Sequence, residues 1–322
     1  DLADNAVTIA KMASLARGKI IYGDSAGDPA ALALGSNGTV LKSDGTDISW
    51  GTISTPTFKT FGTSSFMIGD STTGTINAAN YNTGLGIDVF ASLTTGDGNV
   101  GLGYQNLDAL TTGNYNVAIG YDALSSIQTH HACVAIGKEA LKSNVQSNNT
   151  AVGRVALTDN TSGQYNTAIG DGSLDGNTTA SYNTAVGHQS LSGVNTGAYN
   201  VAIGNQALET NTSGHTNTAV GYHALRLNTT GYHNVAVGGS DNTSVGAPLG
   251  ANTEGRNNVA IGRGALKANT TGKNNVALGD DALGSNTTAD KNTAVGKDAL
   301  NQNTTGYDNV AVGRNALDAN TT

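Results

Sequence analysis

A pentapeptide of the form Asn-(Val/Thr)-Ala-(Ile/Val/Leu)-Gly returns along this 322-residue chain so regularly that few folds can accommodate it. It starts at Asn116, Asn149, Asn166, Asn183, Asn200, Asn217, Asn234, Asn258, Asn275, Asn292 and Asn309, and at Asn99 with Gly in place of Ala. Most steps are 17 residues. Cys133 takes the Asn place in "CVAIG", and stepping back by 17 reaches Asn82 ("NTGLG") and then Ser65 ("SFMIG"). A period of this length is the signature of a solenoid, in which each unit buries its apolar face only against its neighbours.

The unit reads N-V-A-I-G-x-x-A-L-x-x-N-T-T-G-x-x. Gly, Asn and Thr at this density oppose a helical solenoid, whereas Val-Ala-Ile suits a short strand and Gly and Asn-Thr-Thr-Gly suit turns. The expected fold is therefore all-β, a parallel β-solenoid of about 15 coils, each with two short strands (the second being Ala-Leu) and two turns. At roughly 4.8 Å per coil the stack would be about 70 Å long. Stacking should align the Leu residues in one buried file and both Asn sets in amide ladders. Side chains alternate along a strand, so if Ala118, Ala135, Leu124, Leu141, Leu208, Leu225 and Leu266 fill the coil interior, then Val117, Ile119, Val134, Ile136, Val201, Ile203, Val259 and Ile261 form an outward stripe. Such a stripe predicts self-association along the rod. The reverse orientation, with Val and Ile inside, would weaken that inference.

Four segments are expected: a shaft or short helix over 1–16, with Asp4 to Ala16 the candidate helix; a small β-rich region over 17–55; a connector over 56–64; and the repeats over 65–322. Strands are expected at Ile20 to Tyr22, Ala31 to Leu34, Thr39 to Lys42 and Ile48 to Trp50, with Trp50 packed in a small knob. One irregularity interrupts the repeats. Asn234 and Asn258 are 24 residues apart, seven too many, and the pattern looks as if it restarts at Asn242. The economical solution keeps one coil in register and extrudes the surplus as a corner loop.

Composition narrows the function classes. Four Phe and one Trp are too few for a globular core of this length, and 12% charged residues are too few for a disordered chain. A net charge of −8 argues against nucleic acid as a partner, since phosphate binding needs clustered Lys and Arg. No apolar run is long enough to span a bilayer. Cys133 is the sole cysteine, so no intrachain disulfide framework exists.

"NVAIG" and "NTAVG" resemble the head repeats of YadA-type trimeric autotransporter adhesins, and the full unit resembles repeats of tailed-phage tail-fibre proteins. The opening stretch "ALGSNGTVLKSDGTDISWG" also resembles tail-fibre shaft sequence. The resemblance covers nearly the whole chain. It implies a left-handed β-roll, a homotrimer, a place on the virion tail beside other tail or baseplate proteins, and contact with a host surface receptor such as a glycan. The alternative it implies is the head of a bacterial cell-surface adhesin. The unit here is longer than the autotransporter one, so its corners should differ.

Catalytic chemistry finds little support. Asp122 and Glu139, and Asp281 and Asp298, occupy equivalent places on successive coils, at a spacing close to that of retaining glycosidase carboxylates; the same place also holds Gln105, Gln189, Gln206, His223 and Asn315, as a solvated corner row would. His130, His131, His188, His215, His223 and His233 have no metal-ligand spacing, and no cofactor motif is present. Cys133 reads as an inert buried thiol. Rows of paired Thr, such as Thr229-Thr230 and Thr270-Thr271, leave ice binding as a third reading, although adjacent turn residues seldom share a flat face.

Overall fold

The computed structural model describes residues 20–23, 29–32, 35–37, 39–43, 48–51, 57–61, 64–69, 78–240 and 246–322. The candidate helix over 4–16 lies outside them. The chain divides into two units, Asp1–Pro56 and Thr57–Thr322.

The first unit holds two antiparallel hairpins. Strand β1 (Ile20–Gly23) pairs with β2 (Pro29–Leu32), and β3 (Val40–Ser43) with β4 (Ile48–Gly51). Trp50 lies opposite Leu41 and half-buried. A Cβ on Gly35 would lie 2.5 Å from its ring, so Gly there permits the packing.

The second unit is a parallel β-solenoid. Fifteen strands, from β6 (Ser65–Gly69) through β7 (Thr83–Ile87), β8 (Val100–Tyr104) and β9 (Val117–Tyr121) to β20 (Val310–Val312), stack in chain order. Equivalent residues are in register: Ala118 pairs with Ala135, and Ala135 with Ala151. The segment expected to be a connector contains β5 (Thr57–Phe61), which pairs antiparallel with β6 and covers that edge of the sheet. There is no α-helix among the described residues.

Each coil has one strand, not two. The Ala-Leu pair lies in a turn, and every Leu of that file within the described residues has a left-handed backbone, as at Leu124 (φ 55°) and Leu208 (φ 55°). Left-handed backbone costs an L-residue roughly 1–2 kcal/mol. Full burial of a Leu contributes about 1.5–3 kcal/mol, which offsets it: the chain accepts the strained angle because it aims the side chain inward. The expected glycine at the end of each strand meets a stricter demand. Gly120 has φ 133°, and a Cβ there would lie 2.5 Å from the carbonyl oxygen of Gly137 in the next coil.

Two amide ladders run through the interior. In the first, the Asn99 N–H donates to Asn82 Oδ1 (2.8 Å) and Asn99 Nδ2 to the Gly113 carbonyl (3.0 Å), and later coils repeat the arrangement. In the second, Asn177 Nδ2 donates to Asn160 Oδ1 (2.9 Å) and Asn228 Nδ2 to Asn211 Oδ1 (2.8 Å). Buried amides so paired satisfy the requirement that a dry interior imposes. The second ladder starts only at Asn144; the preceding coils fill its place with Leu93, Leu110 and Ile127, all fully buried. Where Cys133 replaces an Asn, Asn144 Nδ2 donates to its sulfur at 3.6 Å. Burial pushes the thiol above its ordinary pKa, opposed by the Asn149 N–H and the Asn144 amide.

The irregular coil stays in the stack. Strand β16 (Val235–Val237) pairs with β17 (Val259–Ile261) without an intervening strand, Leu249 sits in the Leu file and Asn252 in the second ladder. The first ladder passes directly from Asn234 to Asn258; Asn242, where the pattern looked as if it restarted, lies outside the described residues. Ser240 still donates to the Tyr222 carbonyl, and Gly246 already accepts from Gly264, so the described chain is in the stack on either side of residues 241–245, at the corner after the strand.

Candidate association surface

The Val-Ala-Ile strand is too short to bury both of its faces within one coil. Ala118 and Ala135 are fully buried, as are Leu124, Leu141, Leu208, Leu225 and Leu266. The interior is thus a column of Ala packed on Leu. Alternation sends the flanking residues outward: Val117, Val134, Val201 and Val259 are half-buried, Ile119 is half-buried, and Ile136 (36%), Ile203 (40%) and Ile261 (37%) are exposed. Leu85, Leu102, Ile169 and Leu278 continue the same outward file at 40–46%. In-register pairing from β7 to β20 makes two parallel files of branched aliphatic side chains on one sheet face, with Thr in place of Val at some levels.

Polar and aromatic ladders border this face on both sides. At or just after the strand end, Tyr104 stacks on Tyr121 (5.3 Å between ring centres), Arg154 pairs with Asp171 (2.9 Å), and Asp280 is held by Arg263 (2.9 Å) and Lys297 (3.6 Å). Just before the strand, Tyr165, Tyr182 and Tyr199 stack at 5.0 Å intervals, leaving their edges to solvent. Neither border was legible from the repeat pattern, because both lie at positions the consensus leaves free. An apolar centre with a polar, self-satisfied rim is the usual anatomy of a protein interface.

The carboxylates singled out for possible acid–base chemistry are in ion pairs or hydrogen bonds along the corner. Lys142 Nζ lies 3.0 Å from Asp122 and 3.6 Å from Glu139, and the hydrogen bond to Asp122 raises the pKa of the lysine. Asp281 pairs with Lys267 at 2.6 Å, and Asp298 accepts from Asn301 at 3.0 Å. Among the histidines, His131 Nδ1 accepts from the Asn114 N–H, His215 stacks on Tyr232, and His223 is buried with Nε2 donating to Gln206 Oε1 at 2.7 Å. Burial and the neighbouring Arg226 lower the His223 pKa, with Glu209 opposing. No group of three or more His, Cys, Asp or Glu among the described residues could hold a metal ion, and no described helix is long and apolar enough to cross a membrane.

The first Thr of the turn pairs helps to hold successive coils together. Thr212 and Thr229 donate their hydroxyls to the carbonyls of Thr229 and Thr253 in the following coils, at 2.9 and 3.0 Å. The hydroxyls of these first Thr are thereby committed to the stack, whereas the second Thr of a pair, such as the exposed Thr230, is not tied in by such a bond.

No protein-family model, curated protein or solved structure matches this chain.

Proposed function

We propose that this chain is a rod-forming segment of an extracellular fibre, of the tail-fibre kind, which positions or mediates attachment to a host surface and assembles as a parallel homotrimer. The observation that supports this reading is the continuous aliphatic strand face. Its two files, carried by β7 to β20, expose on the order of 1,000 Å² of side-chain surface per chain, comparable with one side of a standard stable interface. A soluble monomer seldom leaves so large an apolar patch bare. The face also repeats once per coil over its whole length, and a second copy of this chain has that same repeat. Host receptor and neighbouring tail or baseplate proteins would be its other partners, the rod supplying reach and multiple copies.

Native mass spectrometry at micromolar concentration tests the assembly, with three chains per particle expected. Ile203→Asp should release monomers that keep the β circular-dichroism spectrum, because Ile203 is 40% exposed in the single chain and becomes buried only on association. Thr229→Ser should leave the trimer intact. A monodisperse wild-type monomer would remove the basis of the proposal.

A further inference from the structure

The outward file that begins each strand is not uniform. Thr stands at residues 83, 150, 167, 184, 218 and 293, and Val at the other eight levels between β7 and β20. These Thr differ from those at the turns. The hydroxyls of Thr150, Thr167, Thr184, Thr218 and Thr293 make no hydrogen bond to any described residue of their own chain. They are half-buried already and point out of the sheet on the aliphatic face, opposite the buried Ala. Val has nearly the same shape, so the exchange alters hydrogen bonding while leaving packing almost unchanged.

We infer that this aperiodic Thr/Val file is a register code: it fixes the axial alignment and the polarity of neighbouring copies of the chain. The inference rests on the association proposed above. A featureless ladder repeating every coil could slip by one coil and lose only its last contact, so aliphatic packing alone specifies register weakly. With copies parallel and level, every Thr meets Thr, and hydroxyls that lose water on assembly can pair with one another. A slip of one coil sets Thr against Val at seven of the 13 remaining levels, and an antiparallel arrangement does so at eight of 14. Each mismatch leaves a buried hydroxyl without a partner, which is unfavourable. A single polar residue in an aliphatic seam sets register in coiled coils by the same physics.

The test uses co-expressed full-length chains carrying either Ile203→Cys or Val220→Cys, which lie on successive coils of the outward file. Cys133 is fully buried and stays in place. After oxidation, disulfide-linked peptides are quantified by mass spectrometry. Same-level links (203–203 and 220–220) should exceed 203–220 links by at least roughly tenfold, equivalent to about 1.4 kcal/mol. Replacing Thr150, Thr167, Thr184, Thr218 and Thr293 by Val should leave the native mass unchanged while raising 203–220 links severalfold. Replacing the same five by Ser keeps the hydroxyls and should keep the wild-type pattern. The code is overturned if wild-type chains of unchanged mass link at both levels equally, or if the all-Val chains remain strictly level. A monomeric wild type, seen by mass before any cross-linking, instead defeats the association itself.

Discussion

At the scale of single residues, Ala, Leu and paired amides fill the interior, and two partly buried carboxylates beside it are unfavourably placed. Asp108 has a buried Oδ1 with no hydrogen-bond partner among the described residues, and burial raises its pKa, with Asp122 and Asp88 adding to the effect. Asp175 is raised by burial in the same way, with Asp159 and Asp171 nearby. A carboxyl whose folded pKa lies above its unfolded value binds its proton more readily in the fold. Unfolding free energy therefore rises as pH falls through the folded pKa, and the gain is complete below the unfolded value. Asp108→Asn and Asp175→Asn should accordingly stabilise the protein at pH 7, each by less than about 1 kcal/mol because both sites are partly screened by solvent. Thermal melts of wild type and variants should converge below about pH 4; a variant advantage that persists in acid would contradict the assignment. Most residue roles were legible in the repeat. The two Asn positions and the strand-ending Gly recur because a stacked coil needs an amide donor and acceptor, or a missing Cβ, at those places. The left-handed Leu was not legible, since Leu beside Ala reads as a strand and only the closed path of the coil shows why it must turn.

The element of this fold is the coil, and positions that face each other across a coil compensate for one another's size. The coils of β7 and β8 have Gly84 and Gly101 where later ones have Ala118 and its equivalents, and the first of them has Phe90 at the Leu position. A Cβ on Gly84 would lie 3.1 Å from the Phe90 ring and from Met67 Cγ. The missing methyl and the larger ring therefore occupy one volume between them. Gly84→Ala should destabilise the unit by about 1–3 kcal/mol through overpacking, and Phe90→Leu should also destabilise it by leaving space unfilled. Combined, they recreate the Ala/Leu pair of the regular coil and should cost less than the sum, with a coupling of about 0.5–3 kcal/mol in a denaturation cycle. Additive effects would mean the two positions do not share a space. The consensus reveals that the early units are atypical but not that their departures are paired, because the pairing crosses the coil rather than following the chain.

For the solenoid unit as a whole, the decisive fact is that stacking tolerates a coil of the wrong length. Deleting Ser240 to Gly246 joins Gly239 to Ala247 and restores the 17-residue spacing between Asn234 and Asn258. The proposed oligomer should survive with a melting temperature equal to or slightly above wild type, since shortening a connection by seven residues changes its closure entropy by well under about 1 kcal/mol. Deleting the equally long stretch Ala247 to Thr253 removes Leu249 from the Leu file and Asn252 from the ladder and should abolish cooperative melting. Equal tolerance of both deletions would show that this coil is dispensable. The count of seven surplus residues was legible in the sequence, as was a corner exit. Which corner was not, because Gly238-Gly239 and Ala247-Pro248 flank the surplus with equally good turn residues and only the ladder to Tyr222 and Gly264 distinguishes them. The hairpin made by β5 was likewise hidden, since its sequence departs from the repeat and its partner is the degenerate first coil.

Identical coils joined in series also have a mechanical consequence. Pulled apart along the stack from its two ends, the solenoid would yield one coil at a time, each release breaking the same set of ladder bonds and freeing 17 residues, about 55–60 Å of extended chain. A force–extension trace would show a nearly even staircase with one tread longer by about 25 Å, where the 24-residue coil gives way. Such a rod fails gradually, lengthening under load instead of snapping, and the irregular coil marks its own position on the record.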